Sequence, residues 1–176
     1  MRLSVIIPYM EADSGKQAIL ERCLDSLKGA NQIIVVENWK EGYAVPINYG
    51  LSQATGDFLL VMNDDLIWHD GSLKKLCDID AVTSPLINGV EKPFFGAAFC
   101  IPRWVYEKVG GLYEGYRISY FDDDDYIKIL EREGIPMHSV PSVDAEHPEG
   151  GRTLHTFPDH DEFYKENLII FQNRWK

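Results

Sequence analysis

Three short apolar runs constrain this chain more than anything else in it: LSVIIP at 3–8, QIIVVE at 32–37 and FLLVMN at 58–63. Runs of this length, β-branched or apolar throughout, suit strands buried on both faces of a largely parallel sheet. Helical patterns separate them. Ile19, Leu20, Cys23, Leu24 and Leu27 fall on one helical face, and Gly29 supplies a stop. AVPINYGLSQATG is a shorter helix, with Pro46 tolerable only in its first turn. A β-α-β-α-β rhythm predicts a mostly parallel central sheet flanked by helices, an α/β fold. Ligands of such sheets gather beyond the carboxyl ends of the strands. Here those ends are polar or turn-forming: Pro8-Tyr9-Met10-Glu11, Glu37-Asn38 and Asn63-Asp64-Asp65.

The second half reads differently. Strands are predicted around 81–87 and 95–102, then a loop, then the four consecutive aspartates Asp122 to Asp125. A helix over 124–133 follows, closed by Gly134 and Pro136, and 138–143 is a last short strand before His147 and the Gly150-Gly151 turn. EFYKENLIIFQNRW predicts an amphipathic C-terminal helix that packs back on the domain.

A chain of 176 residues fits one domain with a sizeable core. No signal-peptide pattern and no stretch long enough to span a membrane is present, so the expectation is a soluble, cytoplasmic protein. Cys23, Cys77 and Cys100 are widely spaced among apolar neighbours and read as buried reduced thiols. A net charge of −11 argues against a sequence-independent grip on nucleic acid. It also means that a phosphate-bearing ligand needs a cation between itself and the carboxylates.

Two acidic clusters carry the chemistry. Asn63-Asp64-Asp65 ends a core strand, and its plain reading is a solvated turn. Asp122 to Asp125 admits three readings: a helix cap, a calcium loop or a catalytic acid site. Calcium is the poorest, because such loops spread their ligands over about a dozen residues around a central glycine. Acidic residues at a helix start are favoured electrostatically, and capping accounts best for Asp122.

In order along nearly the whole chain, LSVIIPYME, QIIVVEN, GYAVPINYGLSQATGDFLLVMNDD, FGAAFCIPRWVYEKVGGLYE and YFDDDDYIKILEREGIPMHSVPSVDAEH resemble the motifs of the inverting family 2 glycosyltransferases. That family has the nucleotide-sugar-binding GT-A fold. The resemblance implies a single GT-A domain over 1–176, with a nucleotide-sugar half at 1–66, an acceptor and catalytic half at 67–150 and a tail with a helix at 151–176. It implies a hexosyltransferase-like enzyme moving a sugar from a nucleotide-diphosphate donor, a UDP-sugar first among them, to an acceptor hydroxyl. The implied cofactor is Mn²⁺ or Mg²⁺, for which oxygen ligands are suited. Asp65 and His147 are the implied metal ligands, Asn63 reaches the metal through water, and Asp64 binds the ribose. Pro8, Tyr9, Glu11, Glu37, Asn38 and Asn48 complete the nucleotide-sugar site. Asp123 matches the general base and Asp125 an orienting acid. Asp122, Asp125, Trp104, Tyr113 and Tyr116 lie on the acceptor side, where aromatic faces serve as sugar platforms and also as ordinary packing.

Two other functions are compatible with the same residues. One is a non-catalytic nucleotide-sugar-binding module, favoured by Asn63 and Met10. The other is a transferase acting on a modified DNA base, which the acidity opposes. Joint retention of Asp65, Asp123 and His147 favours the enzyme.

Overall fold

The computed structural model describes residues 1–10, 14–37, 42–69, 73–148 and 157–176. Strand β1 is Leu3–Tyr9, helix α1 Ser14–Ser26, β2 Gln32–Glu37, α2 Ala44–Gln53, β3 Phe58–Met62 and β4 Ile67–Trp68. A 3-10 turn, Leu73–Cys77, leads to β5 Val82–Ile87, β6 Ala98–Pro102 and α3 Arg103–Val109. Helix α4 Asp122–Arg132, β7 Met137–Glu146 and a C-terminal helix α5 His160–Arg174 complete the order.

One seven-stranded sheet runs β2-β1-β3-β6-β5-β7-β4. The three apolar runs form its parallel part, with β1 between β2 and β3. Strand β6 is antiparallel to both β3 and β5, β4 is antiparallel to β7, and β5 and β7 are parallel. The sheet is thus more mixed than the apolar runs alone indicate. No helix intervenes between β5 and β6, and a direct return between neighbouring strands is antiparallel.

Burial follows the period of two along the strands. Val5 and Ile7 join Cys23, Leu60, Met62 and Cys100 on one face. Ile6 joins Leu59, Val61, Ile47, Phe99 and Leu130 on the other. Helices thereby cover both faces, as the fold class requires. All three cysteines are buried and none forms a disulfide among the described residues.

Three elements differ from the sequence expectation. Helix α4 starts at Asp122 rather than Asp124, because Phe121 takes a left-handed conformation and turns the chain into the helix just ahead of the aspartates. Asp122 is therefore a first-turn residue, and the capping position belongs to Phe121. Strand β7 runs on to Glu146, pairing Leu86 with Asp144 and Ile87 with Ala145 after a register shift at Pro85/Leu86. Helix α5 does pack back, but Phe163 and Asn167 are its only buried residues, and it is held by polar anchors together with ring contacts of Tyr164 and Phe171 on Phe121 at 5.1 and 5.3 Å rather than by a continuous buried face. No helix among the described residues is long and apolar enough to cross a membrane.

Candidate active site

Parallel pairing sets Tyr9 beside Glu37 and Ile6 beside Val61, so β1, β2 and β3 finish at one edge. Past that edge β3 turns, and Asp64 and Asp65 are only 3% and 2% exposed. Two adjacent carboxylates hidden from water are costly unless positive charge or donors compensate them. A surface turn would leave them in solvent. His147, just beyond β7, brings Nε2 to 3.0 Å from Asp65 Oδ1 and 3.5 Å from the Asn63 amide. Its position is fixed through the backbone: the His147 N–H donates to Asn88 Oδ1 at 2.9 Å and Asn88 Nδ2 donates to the His147 carbonyl at 3.1 Å. Asn88 and Gly89 have φ of 50° and 73° in a two-residue turn closed by Ile87 and Val90, which Asn-Gly favours.

Tyr43, at the start of α2, joins this corner to the second half. Its hydroxyl is 2.9 Å from Asn63 Oδ1 and 3.0 Å from the Gly96 carbonyl. Burial first, then the carboxylates of Asp122, Asp123, Asp64 and Asp65, raise its pKa well above the ordinary phenol value, so the proton stays on. One neutral hydroxyl thus stands among four acids.

A cleft of about 350 Å³ opens here, lined by both the Tyr43–Asn63 corner and the start of α4, with Gly96, Ser119, Asp122 and Asp123 in its wall. Asp123 rests against Gly96. A Cβ built there would lie 2.7 Å from Asp123 Oδ2 and 2.9 Å from its Cβ. Asp122 is 4% exposed, and burial, followed by repulsion from Asp123, pushes its pKa up to about 8. Repulsion from Asp125 adds to the rise, while a bond from its own backbone N–H opposes it.

Asp125 points elsewhere. Fully buried, its carboxylate accepts from Tyr116 Oη at 2.9 Å, Arg174 Nε at 2.8 Å and Nη2 at 3.2 Å, and Trp175 Nε1 at 2.7 Å. It therefore fastens the chain's last turn to α4. A second fastening holds the cleft wall. Asn167 accepts from the Arg117 N–H and donates to the Arg117 and Ser119 carbonyls at 2.9 and 2.8 Å. Ile118, Tyr120 and Phe121 in that turn have φ of 57°, 82° and 70°, conformations costly for side chains of this size.

The structure brings together Asp64, Asp65 and His147, and sets Asp122 and Asp123 on the adjoining cleft. Tyr9 and Glu37 share the strand edge, while Pro8 is buried within β1. Glu11 and Asn38 lie outside the described residues. The Asn48 amide is engaged by the Leu112 N–H, the Leu112 carbonyl and Glu114, each at 2.8 Å. A Cβ on Gly111 would collide with Asn48 Oδ1, which is why the Gly110-Gly111 turn has no side chain there. Trp104 and Tyr113 do not line the cleft. The Trp104 indole N–H donates to Asp80, and the Arg174 guanidinium stacks 3.5 Å over the Tyr113 ring. Tyr43 and Asn88 are the site residues that sequence reasoning missed; only Asn88, through the Asn88-Gly89 turn, carried a signal.

The donor set fits a divalent ion. In an octahedral shell with bonds of about 2.1 Å, neighbouring ligands stand about 3.0 Å apart, and His147 Nε2 and Asp65 Oδ1 have that separation, 3.0 Å. Among the described residues no group of three His, Cys, Asp or Glu converges. Mg²⁺-type sites commonly use one or two protein carboxylates and leave the rest to phosphates and water.

Residues 13–79 match the model of Glycosyl transferase family 2. No curated protein matches the chain significantly. Among solved structures, GalNAc-T7 with UDP, GalNAc and Mn²⁺ resembles it at TM-score 0.69 and 14% identity, over 83% of this chain and 43% of that one. The mannosyltransferase PcManGT of Pyrobaculum calidifontis, in complex with GDP-Man and Mn²⁺, gives 0.62 and 18%, over 85% and 58%. TarS of S. aureus with UDP-GlcNAc gives 0.64 and 14%, over 89% and 62%. The chain thus spans 43% to 62% of the length of these three neighbours, and its fold is theirs.

Proposed function

We propose that this chain, whose fold is that of the neighbours above and whose residues 13–79 match the Glycosyl transferase family 2 model, is a GT-A transferase domain that moves a sugar from a nucleotide-diphosphate donor, a UDP-sugar first among them, to an acceptor hydroxyl with inversion. The observation that carries this reading is the 3.0 Å approach of His147 to Asp65, beside a cleft that Asp123 enters from a different segment.

Asp65 and His147 would hold Mn²⁺ or Mg²⁺, which when bound supplies positive charge to the departing diphosphate. The chain does the rest. Asp64, as an ionised carboxylate, accepts hydrogen bonds from the ribose hydroxyls. Tyr9 and Glu37, at the strand edge, would border the base ring, next to the buried Pro8 and to Glu11 and Asn38 in sequence. Asp123 takes the proton of the acceptor hydroxyl as its oxygen attacks. Inversion needs attack opposite the leaving group, and base and metal ligands on separate segments meet that need. Asp125, saturated by Arg174, Trp175 and Tyr116, orients α4 and takes no proton. The buried free thiols favour a reducing compartment, the cytoplasm.

A thermal-shift panel of nucleotide sugars with and without Mn²⁺ tests the reading, because a ligand selective for the native state raises the melting temperature by mass action. A UDP-sugar is expected to stabilise the protein only when Mn²⁺ is present. Stabilisation by no nucleotide sugar under either condition would contradict it. Binding without release of UDP under any acceptor would make the domain a non-catalytic nucleotide-sugar module.

A further inference from the structure

We propose that Tyr43 is a positioning residue for the cation site: its hydroxyl holds the Asn63 amide in the rotation that turns the carbonyl oxygen toward Asp65 and His147. The inference rests on the cation site proposed above and adds to it the group that completes its protein ligands.

Hydrogen-bond accounting carries it. The Tyr43 hydroxyl has a single proton and two partners within bonding distance, the Gly96 carbonyl at 3.0 Å and Asn63 Oδ1 at 2.9 Å, with Asn63 Nδ2 toward His147 Nε2, so the proposed rotation is a half-turn from this one. Gly96 O can only accept. When the amide oxygen faces Tyr43, both partners are acceptors and one proton serves only one of them. When the amide nitrogen faces Tyr43, Asn63 donates to the phenol oxygen and the phenol donates to Gly96, so both contacts of the hydroxyl are hydrogen bonds. A half-turn of the amide exchanges its O and N within nearly the same volume. The Asn63 main chain does not move with it, since its N–H is tied to the Ala97 carbonyl at 2.9 Å.

The other end of the amide meets His147 Nε2 at 3.5 Å, and that nitrogen stands 3.0 Å from Asp65 Oδ1. With the amide oxygen there, the corner presents an oxygen, a nitrogen and an oxygen, all electron-pair donors, which repel one another without a cation and ligate one that enters. With the amide nitrogen there, its N–H competes with the cation for the imidazole lone pair. Tyr43 decides between these arrangements without touching the ion.

Titration of Mn²⁺ alone, followed by the electron spin resonance of free Mn²⁺, tests this in a double-mutant cycle. An aspartate has two equivalent oxygens and needs no orienting. Tyr43→Phe should therefore weaken Mn²⁺ binding by roughly tenfold to a hundredfold in the native sequence, as loss of an outer-shell partner does. In the Asn63→Asp background the same change should leave the affinity as it is. Thermal melts of each variant confirm that the compared proteins are folded. An equal loss in both backgrounds would mean that Tyr43 only packs, and no loss in either would mean that it does not orient the amide; both overturn the proposal. Should Asp65→Asn and His147→Ala also leave Mn²⁺ affinity unchanged, the cation site itself fails, and the proposal with it.

Discussion

The Asp123 side chain rests on Gly96, with the space for a Cβ at Gly96 only 2.7 Å from Asp123 Oδ2. A methyl group there has to displace the carboxylate, the movable partner in the contact. Gly96→Ala should cut transfer while leaving Mn²⁺-dependent UDP affinity near wild type, measured by initial rates and calorimetry on the same preparation. Wild-type turnover would mean that Asp123 works from another position or does no work.

Asp123→Asn keeps size and hydrogen bonding but cannot accept a proton. Transfer should fall by roughly a hundredfold to ten-thousandfold, the usual consequence of losing a general base, with UDP-sugar affinity retained. The neighbours act as controls. If Asp122→Asn abolishes transfer and Asp123→Asn does not, the base is one residue earlier in α4.

Asp122 gives a pH signature. Its pKa of about 8 in the fold lies well above the ordinary aspartate value of 3.8, so between those two values the unfolded chain releases a proton that the native state keeps. Stability contributed by this group therefore falls as pH rises through that window and is level above it. Asp122→Asn, which never ionises, should raise the melting temperature relative to wild type by an increment that grows from pH 5 to pH 8. Melts in EDTA keep bound metal out of the comparison. An increment independent of pH would show that Asp122 is not a buried acid of high pKa.

Breaking the Asp125 anchor should be expensive. Asp125→Asn leaves Arg174 without its charge partner; because the Arg174 side chain is 32% exposed, the expected loss is discounted from the fully buried case to about 2–3 kcal/mol. Urea denaturation measures it, and hydrogen exchange should show α5 opening first. A variant as stable as wild type would mean that the C-terminal helix is held by its other contacts, Asn167, Phe163, Tyr164 and Phe171.

The parallel half of the sheet and its polar carboxyl edge were readable because both are local: a buried strand announces itself in five or six consecutive residues, and Asp64 and Asp65 follow one directly. What the chain does at a distance was not readable. Strand β6 enters between β3 and β5 through pairings that no single segment encodes. Asn48 looks like a ligand contact until Leu112 and Glu114 fold onto it, and Trp104 has Asp80 as its partner. Tyr43 is one aromatic at a helix start, and nothing nearby in sequence names Asn63 and Gly96 as its neighbours. Helix α5 has a weak apolar pattern because its attachments mix the polar side chains of Asn167 and Arg174 with the half-exposed rings of Tyr164 and Phe171. Register through Asp122 to Asp125 was ambiguous for a related reason, since identical residues differ only in what faces them: the buried wall of the cleft for Asp122, Gly96 for Asp123 and Arg174 for Asp125.

The most direct test of a metal-dependent sugar transferase is calorimetry of UDP binding in Mn²⁺ and in excess EDTA, for wild type, Asp65→Asn and His147→Ala. An acidic site cannot hold a diphosphate without a cation between them. Affinity in Mn²⁺ should be high for wild type, sharply weaker for Asp65→Asn and weaker for His147→Ala, with all three equally poor in EDTA. Equal wild-type affinity with Mn²⁺ and with EDTA would contradict the metal assignment and the account built on it.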